Sequence, residues 1–446
     1  MIPRRVKPGA PLSDTECGDS GRQEADRKPS AAREGTITGT SVTSEIFVAR
    51  QPILDRQQAV VGYELLFQSG LGSGADGESP DQASFEMLHT VLLGFGLDAL
   101  LGDKLGFVKV AHDVLMQELY LVLPRERTVL ELVETVEPSA EVLEACRALK
   151  SAGYRLALDD FVRRPALAPM ADLADLIKVD WQATTEAERR ALVREFAPRK
   201  VQLVAEGVET REAFAAAVEE GFTLYQGYFF CEPELLRTPD VPAFKRNCVQ
   251  FMTELHRPEL DFDRLERVIK QEVALAVKLL RYLNSAGFGW RHEVTSIKHA
   301  LRVLGERAAR KWCSLIALTV LGSDKPSELV VTSLVRAQFL EQVGREAGLG
   351  SRDMDLFLTG LLSTLDSLLG QPMEEALAHM PVSNEIRHTL CGRRTSLSAV
   401  WALALAYERG QWGELKELAE QADVSVGRLP GLYRNSVQWV NRIFRG

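Results

Sequence analysis

The sequence predicts an α/β half followed by an all-α half, the first a modified TIM-type (β/α) barrel and the second an all-helical domain. Three observations predict this. Strand-like runs recur through the first half at roughly 20–26 residues, about what a strand plus a crossover helix requires. Several of these runs end on an acid, most plainly Tyr154-Arg155-Leu156-Ala157-Leu158-Asp159-Asp160-Phe161, and barrels place their chemistry at the carboxyl ends of buried parallel strands. Beyond Pro242 no convincing strand follows, and apolar residues recur at helical spacing instead.

The bulk numbers bound the rest. A chain of 446 residues, 46% hydrophobic and 26% charged, is an ordinary globular composition and long enough for two or three domains. The net charge of −9 argues against a general nucleic-acid or anionic-membrane binder, so neither DNA nor a membrane is predicted as a partner. Six cysteines are scattered with no CxxC pair, which fits reduced thiols in the cytoplasm. No apolar run has the length to cross a bilayer, and the amino terminus lacks the apolar core of a secretory signal.

Residues 1–44 are polar and poor in large apolar side chains, so they read as a disordered tail. The barrel is expected over 45–241. It opens with a strand from Ile46 to Gln51, a turn at Pro52 and Asp55-Arg56, and a second strand over Val60–Phe67, together an antiparallel hairpin. A Gly/Ser/Asp-rich loop covers 69–80, and a helical pattern follows around Phe85, Leu88, Val91 and Leu92. Further strands are expected at Phe107–Val110, Val129–Val133, Arg155–Leu158, Leu176–Val179, Val201–Ala205 and Thr223–Gln226. Between two of them Val142, Cys146 and Leu149 mark one helix face, which Gly153 closes. No glycine-rich phosphate loop follows the first strand, which favours a barrel over an open doubly wound sheet.

The helical domain is expected over 242–446. Leu265, Val268, Ile269 and Val273 form one stripe, and Leu275, Leu279, Leu280 and Leu283 another. Thr295 or Ser296 caps a helix carrying Ile297, Ala300, Leu301 and Leu304, which Gly305 stops. Further helices run through Trp312–Leu318, Leu334–Val343, Phe357–Leu369 and Val400–Tyr407.

The acids at strand ends are Glu64, Glu131, Asp159, Asp160, Asp180 and Glu206, with Glu134, Glu209, Lys178 and Gln226 near them. Gathered at one mouth they repel one another and need cations or raised pKa values. Magnesium or manganese is the usual solution for oxygen ligands, and a metal pair suits phosphodiester hydrolysis.

These residues carry a resemblance. The first half, over about 46–240, resembles the EAL domain through Tyr63-Glu64-Leu65-Leu66-Phe67-Gln68, Leu130-Glu131-Leu132-Val133-Glu134, Asp159-Asp160-Phe161, Ile177-Lys178-Val179-Asp180, Ala205-Glu206-Gly207-Val208-Glu209-Thr210 and Gln226-Gly227-Tyr228-Phe229-Phe230. The second, over about 245–446, resembles the HDOD domain through Lys278–Ala286, Thr295–Leu301, Leu304-Gly305, Gly360–Asp366 and Tyr407–Trp412. The order is that of a two-domain bacterial signalling architecture. The resemblance implies cyclic di-GMP as ligand, with Glu64, Glu131, Asp159, Asp160 and Glu206 holding metal. It also implies Lys178 and Glu209 in catalysis, Gln68 and Gln226 against the ligand, and a regulatory protein partner for the HDOD half.

Three departures from the active pattern stand out. Gln68 replaces the arginine that ends the signature, losing the charged bidentate fork for phosphate. Lys109 replaces an asparagine metal ligand, and a protonated lysine has no lone pair to offer. Val162-Arg163-Arg164-Pro165-Ala166-Leu167-Ala168-Pro169 replaces a glycine- and serine-rich loop that carries a metal and a dimer contact. Lys109 is therefore expected to substitute for metal charge, tying Glu64, Glu131 and Asp159 together. The favoured reading is a signalling protein with a catalytically inactive barrel and no cofactor. Two others stay open: an active cyclic di-GMP phosphodiesterase using magnesium or manganese, and a non-hydrolysing receptor. The remaining candidates read as structural: His112-Asp113 starts a helix, Arg163-Arg164 is a solvated loop charge, Trp290 is a packed aromatic, and Cys231 has no companion base.

Overall fold

The structure is a computed structural model that describes residues 46–69, 96–232, 243–271 and 301–445, apart from Pro258, Val303, His379 and Pro381. The expected tail, the helix around Phe85–Leu92, the stripe Leu275–Leu283, most of the helix after Ser296, and Trp290 lie outside the described residues.

Eight strands close into a barrel: β1 Ile46–Asp55, β2 Val60–Ser69, β3 Leu105–Val110, β4 Thr128–Leu132, β5 Arg155–Leu158, β6 Leu176–Asp180, β7 Gln202–Glu206 and β8 Leu224–Gln226. β1 is antiparallel to both neighbours, β2 and β8, and the other pairs are parallel. The turn expected at Pro52 does not form. β1 runs through it to Asp55, because its terminal stretch Ile53–Asp55 is recruited by β8 across a bulge in the β2 pairing. The reversal falls later, where Asp55 Oδ1 accepts from the Gln57 and Ala59 amides at 2.9 Å.

Alternation along the strands builds the interior in layers. Ile53, Phe107, Val129, Ala157, Leu176, Val204 and Leu224 plug the barrel. β2 contributes Gly62 to this level, and a Cβ there would lie 2.7 Å from Phe107 Cε2 and 2.8 Å from the Leu105 carbonyl oxygen. The Phe107 ring thus occupies the space a side chain on β2 would need. Two residues nearer the mouth on each strand stand Gln51, Glu64, Lys109, Glu131, Asp159, Lys178, Glu206 and Gln226.

The crossover helices follow their capping signals. Ala140–Ser151 is capped by Ser139 and buries Val142, Cys146 and Leu149 as expected, with Gly153 at φ 92° behind it. Glu186–Phe196 starts with a Thr185–Glu188 capping box.

The helical half contains Ala243–Leu255, Phe262–Gln271, Glu306–Leu321, Ser327–Glu346, Asp353–Leu361, Leu365–Leu369, Met373–Ala378, Asn384–Leu390, Ser398–Glu408, Trp412–Gln421 and Leu429–Arg445. The helix expected over Phe357–Leu369 is broken after Leu361, and Thr364 precedes a second short helix. Gly360 explains the packing there, since a Cβ would sit 2.3 Å from the Ala337 amide nitrogen of the neighbouring helix. The described residues of the two halves pack as one unit. Tyr407 stands where the halves meet, its ring 6.4 Å from Phe47, 5.3 Å from Trp412 and 5.0 Å from Tyr433. No described helix is long and apolar enough to cross a membrane.

Candidate functional site

The layer above the apolar plug is an ionic cluster centred on Lys178. This side chain is fully buried, and its Nζ lies 2.7 Å from Glu64 Oε2, 3.0 Å from Asp159 Oδ1, 3.2 Å from Glu206 Oε2 and 3.4 Å from Glu131 Oε1. Lys109, on β3, is the second cation, with Nζ 2.7 Å from Asp159 Oδ2 and 3.3 Å from Glu64 Oε1. Gln226 Nε2 donates to Glu64 Oε2 at 2.5 Å and to Gln51 Oε1 at 2.9 Å. Gln51 was not singled out from the sequence. Its signal is visible once β1 and β2 are paired, because it is the cross-strand partner of Glu64.

Protonation follows from burial set against these partners. For Glu64 and Asp159 burial opposes ionisation, but Lys178 and Lys109 outweigh it and hold both carboxyls below the usual range. Glu131 has no exposed surface and no hydrogen-bond donor to either oxygen. Burial therefore carries it well above the ordinary carboxyl value, Lys178 notwithstanding. Burial pushes Glu206 up to about 7. For both lysines burial works toward neutrality, and the surrounding acids overcome it, raising their pKa values. The balance is close: Lys109 and Lys178 stand against Glu64 and Asp159, while burial favours the protonated form of Glu131 and Glu206 titrates near neutral pH. A low-dielectric interior favours such near-neutrality.

The residues at the Glu64–Asp159 position do not fit a divalent cation. The Lys109 ammonium already bridges their oxygens at 2.7 and 3.3 Å, and it donates where an asparagine oxygen would have accepted. Lys109 pairs with both Glu64 and Asp159. Among the described residues the ion pair of Glu131 is with Lys178, at 3.4 Å.

Other expected site residues lie apart from this core. Asp160 is exposed, has φ 42°, and has its pKa raised by burial and by the Asp159 charge. With Glu134 and Asp159 it places carboxylate oxygens within 4.8 Å of one another at the mouth. Glu209 is exposed in the loop after β7, and Gln68 is exposed near the end of β2; neither joins the ion pairs around Lys178. Asp180 serves as a turn anchor, accepting from the Gln182 and Ala183 amides at 2.7 and 2.9 Å. Arg163 and Arg164 pair with Glu195 and Glu137 at 2.8 and 3.6 Å. His112 and Asp113 begin a short helix and pair with each other at 3.0 Å. Cys231 is largely buried, and burial raises its thiol pKa to about 12, which leaves it an unreactive thiol.

Comparison with known proteins bears on both halves. A family model described as the EAL domain matches residues 107–233, and one described as the HDOD domain matches residues 241–385. A protein named cyclic di-GMP phosphodiesterase CdgJ, from Vibrio cholerae, is 32% identical over 369 residues, 82% of this chain and 85% of its own length. The uncharacterized protein YuxH of Bacillus subtilis is 28% identical over 406 residues, 89% of this chain and 98% of its own. Among solved structures, BlrP1 of Klebsiella pneumoniae, titled as a manganese and cyclic di-GMP complex, is 24% identical with a TM-score of 0.36, over 42% of this chain and 56% of that one.

Proposed function

This chain belongs to the two-domain proteins that join an EAL domain to an HDOD domain, and we propose that it is a catalytically inactive member in which the barrel is a closed, metal-free support for signalling by protein contact. The observation that carries the reading is Lys109 between Glu64 and Asp159. An ammonium about 4 Å from a carboxylate contributes roughly 4 kcal/mol at an effective dielectric near 20, before desolvation is charged against it. Two such contacts give the acids a permanent internal counter-charge. Gln68 adds to this, since an amide at the end of the signature offers a ligand phosphate no charged fork.

In this reading the barrel spans 45–241, and the helical domain, 242–446, takes a regulatory protein partner in the cytoplasm. No divalent metal is required, and Lys178 serves as the hub of the ion pairs. Glu206 and Glu209 are then retained without catalytic work.

A second reading, phosphodiesterase activity on cyclic di-GMP, is favoured by the name of the Vibrio cholerae relative and by the oxygen cluster of Glu134, Asp159 and Asp160. The test is incubation of the purified full-length protein with cyclic di-GMP and magnesium or manganese. Linear dinucleotide is followed by chromatography, with equilibrium binding measured in parallel. The expected result is no product. Product that disappears in both Glu64→Ala and Glu206→Ala establishes the second reading. Saturable binding without product makes the barrel a receptor for the nucleotide.

A further inference from the structure

β8, β1 and β2 are consecutive around the barrel, and their inner faces carry Gln226, Gln51 and Glu64, the hydrogen-bonded edge of the ionic cluster. The outer face of the same ribbon is held by the helical half. Tyr63, the neighbour of Glu64 in sequence, donates from its hydroxyl to Glu328 Oε2 at 2.8 Å. The Arg50 guanidinium, one residue from Gln51, lies 4.1 Å from the Tyr63 ring centroid and also donates to the Leu100 carbonyl. Just past Gln226, the Tyr228 hydroxyl donates to the Glu408 carbonyl at 3.4 Å. The Glu408 carboxylate is clamped by Arg336 at 2.7 and 2.8 Å.

All these groups but Gln51 and Tyr228 are more than nine-tenths buried. Adhesion alone is satisfied by apolar packing, which Phe47 and Tyr407 already supply. A buried directional network instead fixes one relative placement, because a small slip leaves charged groups unsatisfied. Strand alternation transmits that placement: Tyr63 points to the helices and Glu64 into the barrel, so neither moves without the other.

We propose that Tyr63 and Glu328 are positioning residues for Glu64, through which the helical half sets whether Glu64 engages Lys109 and Lys178. The inference rests on the ion-pair reading of Lys109. It makes the helical domain a lever on the cluster, so that a partner drawing the helix Ser327–Glu346 away from β2 loosens the network inside the barrel.

Lys109 reports the coupling, because its described ion pairs are with barrel residues alone. The full-length protein is trace-labelled with acetic anhydride at fixed pH, and peptide mass spectrometry compares Lys109 with exposed Lys416. Unmutated Lys109 is expected to react at least tenfold more slowly than Lys416. Tyr63→Phe and Glu328→Ala are each expected to speed Lys109 at least threefold, approaching Glu64→Gln. Glu328→Gln keeps an acceptor for the tyrosine and is expected to stay near the unmutated rate. Arg393→Ala, which removes an exposed ion pair to Glu374 within the helical half, is expected to leave Lys109 unchanged. An unchanged far-ultraviolet circular dichroism spectrum certifies that a variant is folded, and the milder Tyr63→Phe keeps the test decisive if Glu328→Ala unfolds. An unchanged Lys109 rate in folded Tyr63→Phe overturns the proposal. A Lys109 as reactive as Lys416 in the unmutated protein overturns the ion-pair reading, and the proposal with it.

Discussion

At the scale of single residues, Lys178 and Glu206 make the sharpest statements. Lys178 is a fully buried ammonium facing Glu64, Glu131, Asp159 and Glu206. Removing one partner from a buried ionic group leaves uncompensated charge and costs about 3–5 kcal/mol. Lys178→Met is therefore expected to lower the urea midpoint sharply, with urea unfolding followed by circular dichroism as the check. Glu206 predicts a pH dependence. Its folded pKa of about 7 lies above the ordinary carboxyl value of 4.5, so the folded state binds more protons between those values. Its contribution is fully present below about pH 4.5 and is lost as pH rises through 7. Stability is expected to fall from pH 5 to pH 8 on the order of 1 kcal/mol, and Glu206→Gln is expected to flatten that slope. Glu64 and Asp159 act oppositely, their contribution being lost as the medium becomes acid below the ordinary carboxyl range.

Much of this cluster was legible in the sequence, because acids at strand ends two residues beyond an apolar position are a one-dimensional pattern. The identity of the hub was not. Lys178 reads as one charged residue in a β strand, and only barrel closure shows that four carboxylates converge on it. Gln51 was hidden for a related reason: its role depends on antiparallel register with Glu64, which the expected turn at Pro52 cut short.

At the scale of elements, two glycines set distances between segments. At Gly360 a Cβ would come within 2.5 Å of backbone atoms of Arg336 and Ala337. Backbone cannot yield as a side chain does, so Gly360→Ala is expected to push the helices Ser327–Glu346 and Asp353–Leu361 apart at a cost of about 1–3 kcal/mol. A lowered thermal midpoint with unchanged helix content is the expected signature. Gly227, at φ 145°, brings the chain after β8 so close to Val208 that a Cβ would lie 1.9 Å from its carbonyl oxygen. This explains why Gln226 is followed by glycine, a requirement the sequence states without giving its reason. The helix break after Leu361 was not legible, because both short helices continue the same apolar composition and the interruption comes from packing against neighbours.

At the scale of the whole molecule, the two halves share core. Tyr407 is fully buried among Phe47, Phe339, Trp412 and Tyr433, and its hydroxyl accepts from the Val48 amide at 3.4 Å. Truncating such a ring costs about 3–5 kcal/mol. The unmutated protein is expected to give one calorimetric transition, and Tyr407→Ala to split it into two as barrel and helices lose their common core. The domain order was legible from the change of periodicity near Pro242. The interface was not, since Arg50, Tyr63, Glu328 and Tyr407 are far apart in sequence and none belongs to a local pattern that marks a contact.

The central claim is that a lysine holds the place of a divalent cation, and calorimetric titration with manganese tests it most directly. The unmutated protein is predicted to show no saturable heat from the Glu64–Asp159 position, whereas Lys109→Asn, with an acceptor restored and the ammonium removed, gains a saturable site. Manganese binding by the unmutated protein that vanishes in Glu64→Gln would contradict the account.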